Sequence, residues 1–226
     1  TVELGVQSLD DAVLQAARRG HTAAQVAAAM QLLKKYGFTT GLQLMVGLPE
    51  QSFASVQQTA QQAIAMQPDI ARIYPLLVIK DTPLAVDFAS GRFTPLTLEE
   101  AVEQAAWLYN ELTQADIKVI RVGLQADEEL CAPGSIIAGP FHPSMGELVK
   151  SRVLREKITP QLAELAQMGV GGIDLCCPPK LESKLRGQKN CNLHYWQQLF
   201  PELTLSIVHA DTDEVKICPS ASLLIL

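Results

Sequence analysis

The chain has 226 residues, of which 48% are hydrophobic and 19% charged, and its formal net charge is −6. It has no apolar run of about 18 residues that would cross a bilayer, and its first residues lack the basic and apolar pattern of a secretory leader. Five cysteines, an odd number without a Cys-x-x-Cys pair, argue against a disulfide framework, so we expect a cytoplasmic protein with reduced thiols and no membrane contact.

Predicted strands and helices alternate from the first residue, as is typical of parallel βα units. Thr22 with Gln25, and Thr97 with Glu100, have the spacing of capping boxes. Ser52 has the position of a helix N-cap. The pattern predicts strands at 2–6, 38–46, 70–79 and 117–122, helices at 22–37, 52–66 and 97–114, and a loop at 80–95.

Four strands with three crossover helices amount to half of a βα barrel. Parallel strands are normally covered on both faces and paired at their edges. We therefore predict an α/β fold, the second half of a partial TIM-like (βα) barrel, which pairs with a missing N-terminal barrel half.

The composition changes after Gln125, and a small α+β tail is predicted. Residues 151–226 carry 8 basic and 8 acidic side chains, whereas residues 1–150 carry 10 and 16. The predicted tail elements are helices at 145–155, 160–168 and 192–200 and strands at 173–176, 203–208 and 214–218. The predicted domains are 1–125 for the half barrel, 126–158 for a connecting segment and helix, and 159–226 for the tail.

Reactive groups of βα barrels lie at the carboxyl ends of the strands, where loops and helix N-termini converge. This rule selects four polar clusters, at 7–8, 47–50, 74–80 and 121–125. Taken one by one, each cluster is also explained by a polar residue that closes a strand. Together they favour a ligand site at one rim.

Three segments in order and spacing resemble the radical S-adenosylmethionine (SAM) superfamily. They read Glu-Leu-Gly-Val-Gln-Ser at 3–8, Arg-Arg-Gly-His-Thr at 18–22 and Gly-Leu-Gln-Leu-Met-Val-Gly-Leu-Pro at 41–49. The resemblance is to the branch that includes oxygen-independent coproporphyrinogen III oxidase and the Elongator catalytic subunit, and it covers about residues 1–125.

The resemblance implies an oxidoreductase that binds SAM and a [4Fe-4S] cluster and abstracts hydrogen from an unidentified substrate through a 5'-deoxyadenosyl radical. It implies that Gln7, Arg19 and Gln43 contact SAM. A guanidinium suits the SAM carboxylate, an amide suits the ribose hydroxyls, and an apolar strand edge at Leu76 and Leu77 suits the adenine. The three cluster cysteines, Cys-x-x-x-Cys-x-x-Cys, are absent from this sequence, so no metal ligand is assigned and the chain alone is expected to be inactive.

The tail offers an alternative function from another class. Its segment Gly-Gln-Lys-Asn at 187–190 is similar to the Gly-x-x-Gly loop of KH domains, which clamps single-stranded nucleic acid. Lys184, Arg186 and Lys189 would then contact RNA, with the half barrel as a scaffold. A solvated basic turn explains the same residues. A third alternative, an unrelated βα-barrel enzyme with acid-base chemistry, has Glu50 and Asp81 as its candidates.

Overall fold

The protein is described here from a computed structural model covering residues 1–124 and 132–220. Two residues of the predicted pattern, Gln125 and Cys131, lie outside the described residues. The chain divides into two compact units, Thr1–Val149 and Lys150–Leu226. No helix within the described ranges is both long and apolar enough to cross a membrane.

The first unit is built on a four-stranded parallel sheet, and its predicted α/β class is confirmed. The strand order is β1-β2-β3-β5. The elements are β1 Val2–Gln7, α1 Asp11–Ala16, α2 Ala23–Lys35, β2 Thr40–Val46, α3 Phe53–Ala65, β3 Ile70–Pro75, β4 Val78–Ile79, α4 Pro83–Ala89, α5 Leu98–Gln114, β5 Lys118–Val122 and β6 Ile136–Ala138.

The helix starts predicted from capping patterns are confirmed. Thr22 and Gln25 form a reciprocal capping box at α2, and Thr97 and Glu100 form one at α5. The Ser52 side chain accepts from the N–H of Ser55 at the start of α3. Each cap satisfies N–H groups that have no partner within the helix.

The two faces of the parallel sheet differ in chemistry. One face is buried and apolar and meets the helices: Val6, Leu42, Leu44, Val46, Ala71 and Ile73. The opposite face is polar, because the alternate positions of β2 and β3 carry Gln43, Arg72 and Tyr74. Arg72 donates to Glu3 of β1 over 2.9 Å.

The region after β3 differs from the prediction. The apolar run at 70–79 is two strands, because β3 ends at Pro75, and β4 pairs antiparallel with β6. The predicted loop at 80–95 contains α4, whose N-cap is Thr82 and whose first turn begins with Pro83. Proline lacks a backbone N–H, which disfavours a continuing sheet ladder but suits a first helical turn.

The second unit contains a three-stranded sheet of order β8-β7-β9, whose core residues pack together with residues of helices α6, α7 and α8. Its core includes Trp196, Leu175, Leu185 and Leu162, all fully buried. The remaining elements are α6 Met145–Gln167, β7 Gly172–Cys177, α7 Pro179–Arg186, α8 Cys191–Leu199, β8 Thr204–His209 and β9 Lys216–Pro219.

One tail prediction is corrected by the structure. The helices predicted at 145–155 and 160–168 are the single helix α6, which contains Pro160. Residues 179–190, for which no element is predicted, form helix α7 and a tight turn at 188–190. Tertiary packing of Ile158 and Leu162 into the core of the second unit outweighs the helix-breaking tendency of Pro160.

Candidate functional site

A cavity of about 290 Å³ lies at the carboxyl ends of β1, β2 and β3, in the first unit. We call it the rim pocket. It combines polar groups with apolar walls, and its lining includes Gln7, Arg19, Met45, Leu48, Leu76 and Asp87. This composition is typical of small-ligand sites, in which a few polar groups orient a mostly apolar ligand.

Gln7 supplies an unsatisfied polar atom to the rim pocket. It ends β1 in the left-handed region, with φ 61°, and only 6% of it is exposed. Its Oε1 is buried and has no hydrogen-bond partner within the described part of the chain. The space beside it depends on Gly5, since a Cβ there would come within 3.3 Å of the Gln7 Nε2. A buried acceptor without a partner is costly, and a donor group that entered the cavity would satisfy it.

The segment that follows Gln7 is fixed by helix α3. The hydroxyls of Ser8 and Thr59 are hydrogen-bonded over 3.1 Å, and the N–H of Leu9 donates to Thr59 Oγ1 over 3.0 Å. Gln62 Nε2 donates to the Leu9 carbonyl over 3.1 Å. These bonds anchor the chain as it leaves β1, so the Gln7 end of the strand is held in place.

Arg19 enters the rim pocket from the end of α1. Helix α1 ends where Arg18 adopts φ 54°, and the Arg19 N–H donates to the Leu14 carbonyl over 2.8 Å. Arg19 is exposed, and its Nη2 donates to the Gly5 carbonyl over 3.4 Å. The neighbouring Arg18 pairs with Asp87 at 3.4 Å. A guanidinium with one long bond to a carbonyl retains donors for a carboxylate or phosphate.

The loop after β2 forms another wall of the rim pocket. Gly47 has φ 81°, and a Cβ there would lie 2.9 Å from Leu96 Cδ1, so glycine is required on two grounds. Gln51 braces the loop, since its Oε1 accepts from the Leu48 N–H over 3.0 Å and its Nε2 donates to the Met45 carbonyl over 3.1 Å. The Met45 and Leu48 side chains are thereby held at the pocket.

The structure brings together part of the predicted SAM set. Gln7 and Arg19 line the same pocket, together with Leu76. Gln43 is half-buried on β2, two residues before Met45 and therefore on the same face of the strand. Leu77 is 7% exposed and lies against Gly139. The assignment of these residues to SAM stays a prediction.

Three contributors to the site were missed from the sequence. The sequence predicts Met45 only as a strand residue and Asp87 as part of a loop, and it assigns no role to Gln51. Thr82 followed by Pro83 has the pattern of an N-cap with proline at the first helical position, and this signal would have revealed α4 and with it Asp87.

A wider, open groove of about 850 Å³ adjoins the rim pocket and shares Arg18, Thr82 and Asp87 with it. Asp87 also pairs with Arg92 at 2.7 Å. Asp81, a candidate of the acid-base alternative, lines this groove, whereas Glu50 does not. The groove therefore does not bring the predicted candidates Glu50 and Asp81 together, and its other carboxylate, Asp87, is paired with Arg18 and Arg92.

The basic residues of the tail turn have other contacts. Arg186 Nε donates to Glu182 over 2.7 Å, and Lys184 also interacts with another residue of the chain. Lys189 lies in the turn with φ 53°. Asn192, which follows the turn, anchors it, because its Nδ2 donates to the Ser151 and Leu185 carbonyls. RNA binding by Lys184, Arg186 and Lys189 stays a prediction.

Iron-sulfur ligation does not fit the residues present. Among residues 1–124 and 132–220, no three His, Cys, Asp or Glu side chains gather into a group suited to a metal ion. Cys176 and Cys177 are neighbours on β7, where burial raises the pKa of both thiols and so disfavours the thiolate form that binds metals.

Two family models match consecutive parts of the chain. Residues 1–63 match the radical SAM superfamily, and residues 68–155 match the radical SAM C-terminal domain. The chain belongs to the radical SAM superfamily. The rim pocket lies within the matched region, and most of the second unit lies outside it.

Curated relatives place the chain near the Elongator branch of the radical SAM superfamily. A protein of Methanocaldococcus infernus named tRNA uridine(34) acetyltransferase is 37% identical over 105 residues, covering 45% of this chain and 20% of the relative. Human Elongator complex protein 3 is 32% identical, covering 46% and 20%. Protein YhcC of Escherichia coli is 30% identical, covering 44% and 32%. The chain thus matches about a fifth to a third of these relatives.

A solved structure confirms the radical SAM fold. Elp3 of Methanocaldococcus infernus with an N-terminal deletion superposes with a TM-score of 0.59 at 29% identity, covering 71% of this chain and 36% of that one. The Elongator side of the expected resemblance is confirmed. The coproporphyrinogen oxidase side, and with it the oxidoreductase class, has no support in these relatives, one of which is named as an acetyltransferase.

Proposed function

We propose that the rim pocket binds part of SAM and that the chain supplies this part of the cofactor site in a radical SAM enzyme. The observation that carries the proposal is the buried Gln7 Oε1, which has no hydrogen-bond partner among the described residues and lies in the same cavity as the Arg19 guanidinium. A radical SAM family member needs a site that takes both a carboxylate and a nucleoside. The rim pocket has a cation, an amide and apolar walls.

Each group of the pocket has a definite task. Arg19 would hold the SAM carboxylate, since a guanidinium offers two parallel donors. Gln7 would present its acceptor to a ribose hydroxyl or the amino group. Met45, Leu48 and Leu76 would cover the adenine and keep water away from it. When bound, SAM supplies the one-electron chemistry by which members of this superfamily remove a hydrogen atom from a substrate.

The polar face of the sheet supports a place for the substrate and for a further barrel segment. Glu3, Gln43, Arg72 and Tyr74 lie on the face opposite the helices, and Arg72 donates to Glu3. We propose that further strands complete the barrel around this face. The names of the relatives make an RNA nucleoside the candidate substrate class.

The test is SAM binding by isothermal titration calorimetry, with Arg19→Gln and Gln7→Met as variants and Lys35→Gln as the control for loss of one positive charge outside the pocket. We expect about a tenfold or greater loss of affinity for Arg19→Gln, as charge-assisted bonds predict, and no loss for Lys35→Gln. Failure of the unmodified chain to bind SAM at about 1 mM, or equal affinity in all variants, would refute the proposal.

A further inference from the structure

A second cavity, of about 490 Å³, lies within the second unit between helices α6 and α8. We call it the tail pocket. Its apolar walls include Pro160, Ala163, Tyr195, Leu199 and Phe200, and two arginines, Arg152 and Arg155, lie on the α6 side. The rim pocket shares none of these residues, so the two sites are tested independently.

The two arginines of the tail pocket differ in how their charge is compensated. Arg152 Nε donates to Glu156 over 2.7 Å, and its side chain is only 17% exposed. Arg155 is half-buried and forms neither an ion pair nor a side-chain hydrogen bond with any described residue. Its guanidinium carbon lies 4.3 Å above the centre of the Tyr195 ring. The pocket therefore holds two arginines and one carboxylate, Glu156, which is bonded to Arg152, so that one positive charge is in excess.

The backbone at Arg155 is held in place by hydrogen bonds through Thr159. The Thr159 hydroxyl donates to the Arg155 carbonyl over 2.7 Å and accepts from the buried Trp196 Nε1 over 2.9 Å. Burial lowers the pKa of Arg155 from its ordinary value, and the nearby charge of Arg152 lowers it further. Both effects mean that an incoming negative charge would be favoured there.

We propose that the tail pocket binds an organic anion, a carboxylate or phosphate monoester carried on a flat apolar body. The anionic head would pair with the open fork of Arg155, whose planar donors match either head group. The flat body would lie against Tyr195, Leu199 and Phe200, where burial of apolar surface stabilises it. Such a site would give the protein a second ligand that the rim pocket does not take.

Calorimetric titration of the full chain tests this with benzoate and phenyl phosphate, with benzamide as a neutral analogue and inorganic phosphate as a head group alone. We expect both aromatic anions to bind with a Kd of about 1 mM or tighter, and the two partial probes to bind at least about tenfold more weakly. The anion that binds more tightly shows whether the pocket prefers a carboxylate or a phosphate head group. If neither anion binds at that level, or benzamide binds as well as they do, the proposal is wrong.

Variants locate the bound anion. Arg155→Gln removes the unpaired charge and should weaken binding by about tenfold or more, whereas Arg155→Lys keeps the charge without the fork and should weaken it less. Lys157→Gln is the matched control, because it removes one positive charge from the same helix outside the pocket. Thermal unfolding followed by circular dichroism establishes that each variant is folded. Equal affinity in Arg155→Gln and Lys157→Gln would overturn the assignment.

Discussion

The surroundings of Gln7 distinguish a side chain that would serve a ligand from one that would serve the fold. Its amide oxygen is buried and accepts no hydrogen bond in the part of the chain that the structure describes, while the residue itself takes a left-handed backbone conformation. A residue kept for the fold would be expected to have that acceptor satisfied. The unsatisfied acceptor and the left-handed backbone both cost stability, as is often found for residues that bind a ligand.

Replacement of Gln7 by methionine tests this directly. Methionine has a similar length and no polar atom to leave unsatisfied, so we expect the free energy of unfolding to stay the same or rise by about 1 kcal/mol. Urea denaturation measures it. A fall of that size or more would mean that the Gln7 side chain supports the fold, whatever its effect on SAM binding.

Gly47 gives a second prediction at this scale. Gly47→Ala would suffer both backbone strain and a contact with Leu96, so we expect a loss of about 2–3 kcal/mol in the free energy of unfolding. Gly37→Ala is the control, because Gly37 has φ 74° and no atom within 4 Å of an added Cβ. Urea denaturation of both should show a larger loss for Gly47→Ala. Equal losses would show that Leu96 gives way without cost.

At the scale of elements, a carboxylate ties the start of β2 to the start of β3. Asp69 Oδ2 accepts from the Thr40 N–H over 2.7 Å and from the Thr40 hydroxyl over 3.0 Å. The Asp69 N–H in turn donates to the Thr40 carbonyl over 3.0 Å. The bond from the Thr40 N–H, and next that from its hydroxyl, lowers the pKa of Asp69 from its ordinary value.

This lowered pKa makes stability depend on pH in a defined direction. The charged carboxylate stabilises the fold above its unfolded-state pKa of about 3.9, and this contribution is lost as pH falls through the lower folded-state pKa. We therefore expect the stability gap between the unmodified chain and Asp69→Asn to be constant from neutral pH to about pH 5 and to narrow below about pH 4. Urea unfolding across this range measures the gap, and parallel curves would contradict the assignment.

On the scale of the whole molecule, negative charge is concentrated before the tail. Residues 1–150 carry six more acidic than basic side chains, whereas residues 151–226 are balanced. Nucleic acid would therefore meet repulsion from most of the chain. Any RNA affinity has to come from a few local cations, of which Arg186 is already bonded to Glu182.

The RNA-binding hypothesis predicts a shallow salt dependence. Three phosphate contacts would give a slope of about −2 in log affinity against log salt, since each contributes about −0.7 on a single strand. We expect a slope no steeper than this for single-stranded RNA in filter binding, and a shallower one for Lys189→Gln. Absence of salt-dependent binding in the micromolar range would remove the hypothesis.

The parallel sheet and the capped helices could be predicted from local patterns in the sequence, whereas the expectation that Arg19 lies with Gln7 came from the family resemblance. The end of β3 was missed, since an apolar run at 70–79 does not reveal where Pro75 ends the strand. Asp87 depends on the tertiary position of α4, and Arg155 on packing between α6 and α8. Local periodicity carries no information on such contacts.

The antiparallel pair β4 and β6 joins Val78 to Ala138, and Gly139 then packs against the backbone of Leu76 and Leu77. One wall of the rim pocket is thus buttressed by residues about 60 positions later in the chain, a long-range pairing of the kind that slows folding. On the ribosome, the sheet strands would emerge before this buttress does. The cavity should consequently take its final shape only after β6 has left the exit tunnel, so that a nascent chain holding only the sheet strands would still lack the finished wall.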